Sequence, residues 1–395
     1  MIKRKKKNKE HNPFYDPTLK KRHVSAKRFK KFTLTSLIFS VAFLAFFLFD
    51  MIGKGIPAFN IAYVKVDVTF NEKTLEDTRF AVPTPYRNLV SRAALRDLPK
   101  LLEENPTYMN STQNIWILAS SQVDQYIKNH NHNLKNKDIA KVDELYAQGL
   151  IDKKFNAIFF ENGDSKIPEY AGIFSAVIGS ILTLIITMAV AFPIGVMTAI
   201  YLEEFAGDNK FTRFIEININ NLAAIPSILF GLLGLAIFIN LFGMPRSSPL
   251  VGGLTLALMT LPIIIVSSRA ALRAVPDSIR QAGYGLGLNK IQVTRDHVLP
   301  LAFPGVLTGS IIGLAHAMGE TAPLIIIGMI AFIPDAPTMV TQAATVMPAQ
   351  LFTWAGMPEG MYIEKTAAGI LVLLTILISL NAIAIFLRKK FEVKW

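Results

Sequence analysis

Runs of about 20 apolar residues recur along this chain, the length that a helix rising 1.5 Å per residue needs to cross ~30 Å of hydrocarbon. They fall at 32–52, 171–202, 221–243, 250–268, 301–333 and 366–387 and predict six membrane spans. Two runs exceed one straight span. Each holds a breaker, Pro193 with Gly195 in one and Gly319 with Pro323 in the other, so both are read as kinked or tilted helices. Between the first two runs the pattern changes. Residues 53–170 are rich in Asn, Asp, Glu and Lys and predict a small inserted domain. There Val64, Val66, Val68 and Phe70 alternate with Lys65, Asp67 and Thr69, as in a half-buried strand. Ile158-Phe159-Phe160 before Asn162-Gly163-Asp164 reads as another strand, and apolar spacing around 85–102, 114–129 and 137–150 reads as helical, giving an α+β insertion.

Charge then orients the spans. Of the net +12, residues 1–31 hold +11, with 13 Lys or Arg against Glu10 and Asp16. A run such as Lys3-Arg4-Lys5-Lys6-Lys7 beside a span matches the positive-inside rule and the pull of anionic membrane lipid. It lacks the aromatics and folded platform of a nucleic-acid site, so no nucleic-acid partner is expected. No small-residue cleavage site follows Phe32–Phe49, so this segment is expected to stay attached as a span. The organisation is then a basic cytoplasmic arm (1–31), a first transmembrane helix (32–52), a periplasmic insertion (53–170), a helical core (171–388) and a basic cytoplasmic tail (389–395). Six crossings place both termini inside, and Arg388-Lys389-Lys390 agrees. Loop 269–300 also falls inside; it carries Arg269, Arg273, Arg280, Lys290 and Arg295 against Asp277 and Asp296.

Candidate chemistry is sparse. With no cysteine, disulfides, thiol catalysis and Cys-ligated metal are excluded. Asn129-His130-Asn131-His132-Asn133 offers two imidazoles without a third ligand and reads as a solvated loop, not a metal site. No soluble catalytic constellation is found. Gly283-Tyr284-Gly285-Leu286-Gly287 is neither preceded by a strand nor followed by Lys-Ser or Lys-Thr, so it is no nucleotide cradle. No cofactor is expected, and any ATP that drives this chain is bound by a partner subunit.

The informative stretch of loop 269–300 runs from Val275 to Gly287, with Leu299-Pro300 further on. Pro276 ends the preceding helix, and Asp277 or Ser278 can cap the next. Ala282, Gly283, Gly285 and Gly287 are expected to make one side of that helix smooth enough for a partner's surface, with Gly287 suited to its carboxyl end. The loop resembles the EAA loop of ABC-importer permeases, which docks on the ATPase subunit. Gln281, Ala282 and Gly283 stand at the E-A-A positions, and Gly287, Leu299 and Pro300 fall on the family spacing. Gln replaces Glu, Gly replaces the second Ala, and His297 stands where the family prefers Ile.

A second motif interrupts an apolar run: Gly319-Glu320-Thr321-Ala322-Pro323-Leu324, in which Glu320 is the one acidic residue between Asp296 and Asp335. An ionisable group at membrane depth costs about 2.5–3.5 kcal/mol on insertion scales, so Glu320 is expected to face a bundle interior or a watery path. A helix beginning at Pro304 would carry it about 24 Å through the hydrocarbon, into the outer half of the membrane. Gly319 and Pro323 would free backbone groups there, as at transporter substrate sites. This G-E-T-A-P stretch, with 195–204 and Ala271-Leu272-Arg273-Ala274-Val275-Pro276, resembles the phosphate permeases of the PstA and PstC pair, and favours the PstA type over about 171–388.

The resemblance implies a six-span MetI-like bundle of the bacterial inner membrane. It also implies a companion PstC-type permease, two ATPase subunits and a periplasmic phosphate-binding protein as partners, with phosphate as cargo. The implied path or gate residues are Arg273, Arg280, Glu320 and Thr321, with Glu320 pairing an Arg or taking a phosphate proton. Arg269 and Arg273, four apart, share one helix face near the inner mouth. Two other readings stand beside this one: a permease for another oxyanion or phosphonate, and a membrane receptor sensing through 53–170, which would lack a sizeable cytoplasmic output domain.

Overall fold

The computed structural model describes residues 18–330 and 332–391, in two units, 1–53 and 54–395. The first unit contributes most of helix α1 (Leu19–Gly55), whose apolar side chains from Phe32 to Phe49 are nearly all exposed, as a lipid-facing helix requires. The predicted arm is therefore helical from Leu19 onward and continuous with the first apolar run; residues 1–17 lie outside the described residues.

The second unit opens with the inserted domain. Strand β1 (Asn60–Phe70) is central, pairing antiparallel with β2 (Ser111–Leu118) on one side and β3 (Ile151–Phe155) on the other. Its alternation is as read: Val64, Val66, Val68 and Phe70 are buried in one core with Leu89, Leu95, Ile117 and Val142. Helices α2 (Arg92–Arg96), α3 (Ser121–Ile127) and α4 (Asn136–Ala147) surround the sheet. Two local readings are corrected. Residues 114–118 are strand, because pairing with β1 outweighs their ambiguous apolar spacing, with Ile115 opposite Val66 and Ile117 opposite Val64. Ile158-Phe159-Phe160 is helical, within Ala157–Glu161, because the Asn156 side chain caps that turn by accepting from Phe159 N at 3.2 Å.

The bundle follows. Helix α5 (Phe174–Ile200) runs unbroken through Pro193 into a π-helical turn at Tyr201–Phe205. It packs on α8 (Pro249–Arg273) along a stripe of small residues four apart, Thr183, Thr187, Ala191, Gly195 and Ala199, all buried; Gly179, one turn earlier in the stripe, abuts Thr345 instead. A Cβ on Gly195 would sit 2.8 Å from Ile264, and one on Gly253 2.5 Å from Ile186, so the glycines permit the close approach. Between them α6 (Lys210–Ala223) and α7 (Ser227–Gly234, continued as a π-helix to Leu241) meet at a 103° bend. The span read at 221–243 therefore begins ahead of the break: Pro226 has no N–H to give, helix is interrupted at 224–226, and the apolar helix proper starts at Ser227.

Helix α9 (Asp277–Gly285) lies in the following loop, then α10 (Leu299–Gly319), short α11 (Ala322–Ile326), α12 (Met347–Ala355) and α13 (Gly360–Phe391). The run 301–333 is not one kinked helix, since regular helix stops at Gly319 and restarts at Ala322. Among the described residues five helices are long and apolar enough to cross a membrane, or six if the bent pair counts as one span. The tail residues 389–391 continue α13, and 392–395 lie outside the described residues.

Candidate functional site

Two breaks and one loop concentrate the polar chemistry of the bundle. At the loop end, three arginines converge on two adjacent glutamates. Arg269 and Arg273 project from the last turns of α8, and both reach Glu203 in the π turn, Arg269 Nε at 3.3 Å and Arg273 Nε at 2.7 Å. Arg269 also pairs with Glu216 of α6. Arg280, on α9, takes Glu204 through Nη2 at 2.7 Å and Nε at 3.3 Å, a two-pronged contact that suits the planar guanidinium. Its remaining N–H groups donate to the carbonyls of Leu272 and Val275 at 3.0 and 2.8 Å, where α8 ends. The Glu204 carboxylate holds the Arg280 guanidinium above the usual arginine range. Arg280 thus fastens the loop to the ends of α5 and α8.

Pro276 occupies the cap position of α9, and neither Asp277 nor Ser278 caps it; Asp277 lies in the first turn and pairs with Arg280 at 3.2 Å. Gly287 adopts φ +81°, the left-handed conformation that ends the segment at no steric cost. Gly283 is buried, and its missing Cβ would lie 2.8 Å from Val293, so it serves internal packing and not the outward face expected from sequence. Gln281, Ala282, Gly285 and Gly287 do face outward. They stand with Leu286, 81% exposed, and Ile291, 64% exposed, as apolar surface with little cover. Leu299 and Pro300 begin α10, with Pro300 exposed.

The second feature is the break itself. Glu320 ends α10 with an extended backbone, φ −80° and ψ 126°, and its side chain is 19% exposed. Its carboxylate lies 3.3 Å from His316 Nε2, so among the described residues its partner is a histidine and not an arginine. Thr321 is half-buried beside it, and Gly319 has open space where a Cβ would point. Pro323 is buried against Gly231, where a Cβ would come within 2.7 Å of Pro323 Cα, so the two broken segments, α7 and α11, pack on each other. Gly305 meets Ala271 at the arginine end, and α10 runs about 21 Å from there to Gly319. The structure therefore brings Gly319, Glu320, Thr321 and Pro323 together and sets Arg273 and Arg280 at the other end.

The inserted domain meets the bundle through a buried polar cluster. Glu364 of α13 accepts from Gln125 Nε2 at 2.7 Å and Lys128 Nζ at 3.1 Å, and contacts His130. Lys128 also pairs with Asp124 at 2.6 Å, whose carboxyl burial pushes up. Lys365 Nζ donates to the carbonyls of Ala171 and Glu169 at 2.6 and 3.2 Å. His132 packs edge-on to Tyr126, with ring centroids 4.9 Å apart.

Sequence reasoning gave Glu203 and Glu204, which close the 195–204 motif, no role, and missed Glu216, His316, Glu364 and Lys365. A signal existed for two pairs: Glu203-Glu204 and Glu364-Lys365 each stand at the end of a long apolar run.

Residues 191–393 match the family described as binding-protein-dependent transport system inner membrane component, and segments 16–85 and 81–136 match a domain of unknown function. The chain is 31% identical over 245 residues to the phosphate transport system permease protein PstA of Yersinia pestis, covering 61% of this chain and 81% of that protein. It is 36% identical over 160 residues to PstA of Mycobacterium leprae, covering 40% of this chain and about half, 52%, of that relative. With PstA 1 of Mycobacterium tuberculosis strain H37Rv it shares 29% identity over 224 residues, 56% of this chain and 72% of that one. An inward-facing structure of the MetNI methionine ABC transporter aligns with a TM-score of 0.45 at 16% identity, over 56% of this chain and 98% of that one.

Proposed function

This chain belongs to the family of binding-protein-dependent transport system inner membrane components, and from that premise we propose that it is the permease subunit of an ATP-driven importer of inorganic phosphate. The observation that carries the reading is the loop: apolar Leu286 and Ile291 stand exposed around left-handed Gly287, on a segment fastened to two long helices by Arg280 and Glu204. Such a surface suits a cytoplasmic ATPase subunit, with Gln281 at its edge supplying a neutral contact. The loop end is then the cytoplasmic side of a bacterial inner membrane, with both termini, and the inserted domain is periplasmic.

ATP chemistry belongs to two partner ATPases, and this chain makes and breaks no bonds. Movement imposed on the loop passes through the Arg280–Glu204 pair to the π turn ending α5, and through Glu203 to Arg269 and Arg273 ending α8. The packed breaks, α7 and α11, are the elements proposed to line the path together with a PstC-type companion. A periplasmic phosphate-binding protein delivers the cargo. Glu320, held by His316, repels a fully ionised anion and accepts a hydrogen bond from the O–H of monohydrogen phosphate. The phosphate assignment leans on the relatives named PstA and on the G-E-T-A-P motif. Vesicles holding this chain, its companions and internal ATP should accumulate labelled phosphate delivered by the binding protein. Uptake of a different anion in its place sinks the cargo, and absence of any ATP-dependent uptake sinks the permease reading.

A further inference from the structure

The inserted domain carries a cleft of about 630 Å³ that no part of the transport reading uses. Its volume lies within the ~300–1,000 Å³ range of small-molecule sites. It is lined by Arg87, Arg92, Arg96, Lys135 and Lys166, against the acidic Asp138, Glu169 and Glu359. Arg92 and Arg96 are one turn apart on α2 and exposed, and with Lys135 they have no carboxylate partner among the described residues. Lys166 rests over the Phe332 ring at 5.7 Å and Arg87 over Phe80 at 5.0 Å, so aromatic faces hold these cations without neutralising them. Like charges gathered in one concavity repel and focus a positive field, which a bound anion relieves.

A second observation narrows the anion. Glu169 lines the same cleft at 5% exposure; one carboxylate oxygen accepts from Ser121 N, and Oε2 has no partner. Burial pushes its carboxyl above the usual carboxylate range. A bare oxyanion meets repulsion there. An anion that retains an O–H can donate it to the ionised carboxylate, so a single shared proton satisfies both groups. Phosphate near neutral pH carries that proton and sulfate does not.

We propose that this cleft binds a protonated phosphate group, outside the helical bundle, with Arg92 and Arg96 as its cationic contacts and Glu169 as its proton partner. Free inorganic phosphate and the phosphomonoester headgroup of phosphatidic acid share this chemistry. The second source is close at hand, because Glu359 directly precedes Gly360, the start of a long apolar helix. The site rests on the cleft alone and stands whether or not phosphate is the transported cargo.

The test uses the full chain in phosphatidylcholine nanodiscs, titrated calorimetrically with inorganic phosphate and then sulfate at neutral pH. Saturable phosphate binding is expected, with sulfate at least tenfold weaker and with a tenfold or greater loss in Arg92→Ala/Arg96→Ala. Both side chains are exposed and unpaired, so that variant is expected to keep the parent's unfolding temperature. Glu169→Gln should erase the preference for phosphate over sulfate. In a second arm, phosphatidic acid replaces part of the lipid and no phosphate is added; stabilisation there alone, lost in the arginine variant, keeps the site and assigns it to a headgroup. Binding that is unchanged in the arginine variant, equal for sulfate, or absent from both arms overturns the proposal.

Discussion

The two ends of the bundle use ion pairs in opposite ways. At the domain end, Glu364 and Lys365 are buried and reach across to the inserted domain, Glu364 taking Gln125, Lys128 and His130, and Lys365 taking two carbonyls. Trp354 Nε1 adds a bond to Asp164 at 2.8 Å, and the Tyr362 hydroxyl one to Ser165 O at 2.6 Å. These contacts are made inside the chain and tie the inserted domain to the helix. At the loop end the arginines also find partners within the chain, but the apolar residues beyond them are left uncovered. Buried ion pairs fix an arrangement more than they stabilise it, and breaking one is expensive. The domain end is built to hold a shape; under the proposed function, the loop end hands a shape change from a partner to two long helices.

That contrast can be broken most severely at Glu364. Glu364→Ala is expected to cost about 3–5 kcal/mol, the price of opening a buried pair, and to expose the inserted domain to limited proteolysis. An unchanged unfolding transition would show that the domain is held by its apolar contacts alone. Next is Glu204→Ala, which strips a two-pronged partner from Arg280 and should cost about 2 kcal/mol, the scale of hydrogen bonds to charged groups. Its larger consequence should be functional: nucleotide-driven uptake falls while the ATPase still binds. Equal loss of binding and uptake would make Glu204 merely a fold residue.

A third variant sharpens the domain end through pH. Burial raises the Asp164 carboxyl, so folded Asp164 binds a proton more readily than unfolded Asp164. Its penalty is full at pH above the raised value and lifts as pH falls through it towards the usual carboxylate range. Asp164→Asn keeps an oxygen for Trp354 but does not titrate, so its stability relative to the parent should be greater at pH 7 than at pH 4–5. A constant difference across that window would deny the burial penalty. The smallest stability effect is expected at Leu286, where Asp on an exposed position should change unfolding by no more than about 0.5 kcal/mol. Leu286→Asp should nonetheless weaken ATPase binding, measured by co-purification.

What was legible in the sequence follows from which forces are local. Hydropathy located the apolar runs because lipid acts on each residue separately, and alternation located β1 because one face of that strand is buried. Gly287 was readable because a left-handed residue at a helix end nearly demands glycine. The strand at 111–118 was not, since its conformation is decided by pairing with the distant segment 63–70. Pro226 lay near the start of the run read as one span, and the helices on its two sides meet at 103°. The paired glutamates went unread because their meaning depends on arginines that the fold brings from two other segments. The stripe from Gly179 to Ala199 is fully visible in sequence, but only a known partner helix gives it a purpose.

The central claim is that the outward loop face transmits ATPase motion. Because the chain has no cysteine, Leu286→Cys supplies a single reactive thiol, and its crosslinking to the ATPase subunit can be followed in the assembled transporter with and without nucleotide. A crosslink to the ATPase whose yield changes on ATP binding is the predicted result. A thiol that stays freely reactive and never crosslinks to that subunit in any nucleotide state would contradict it.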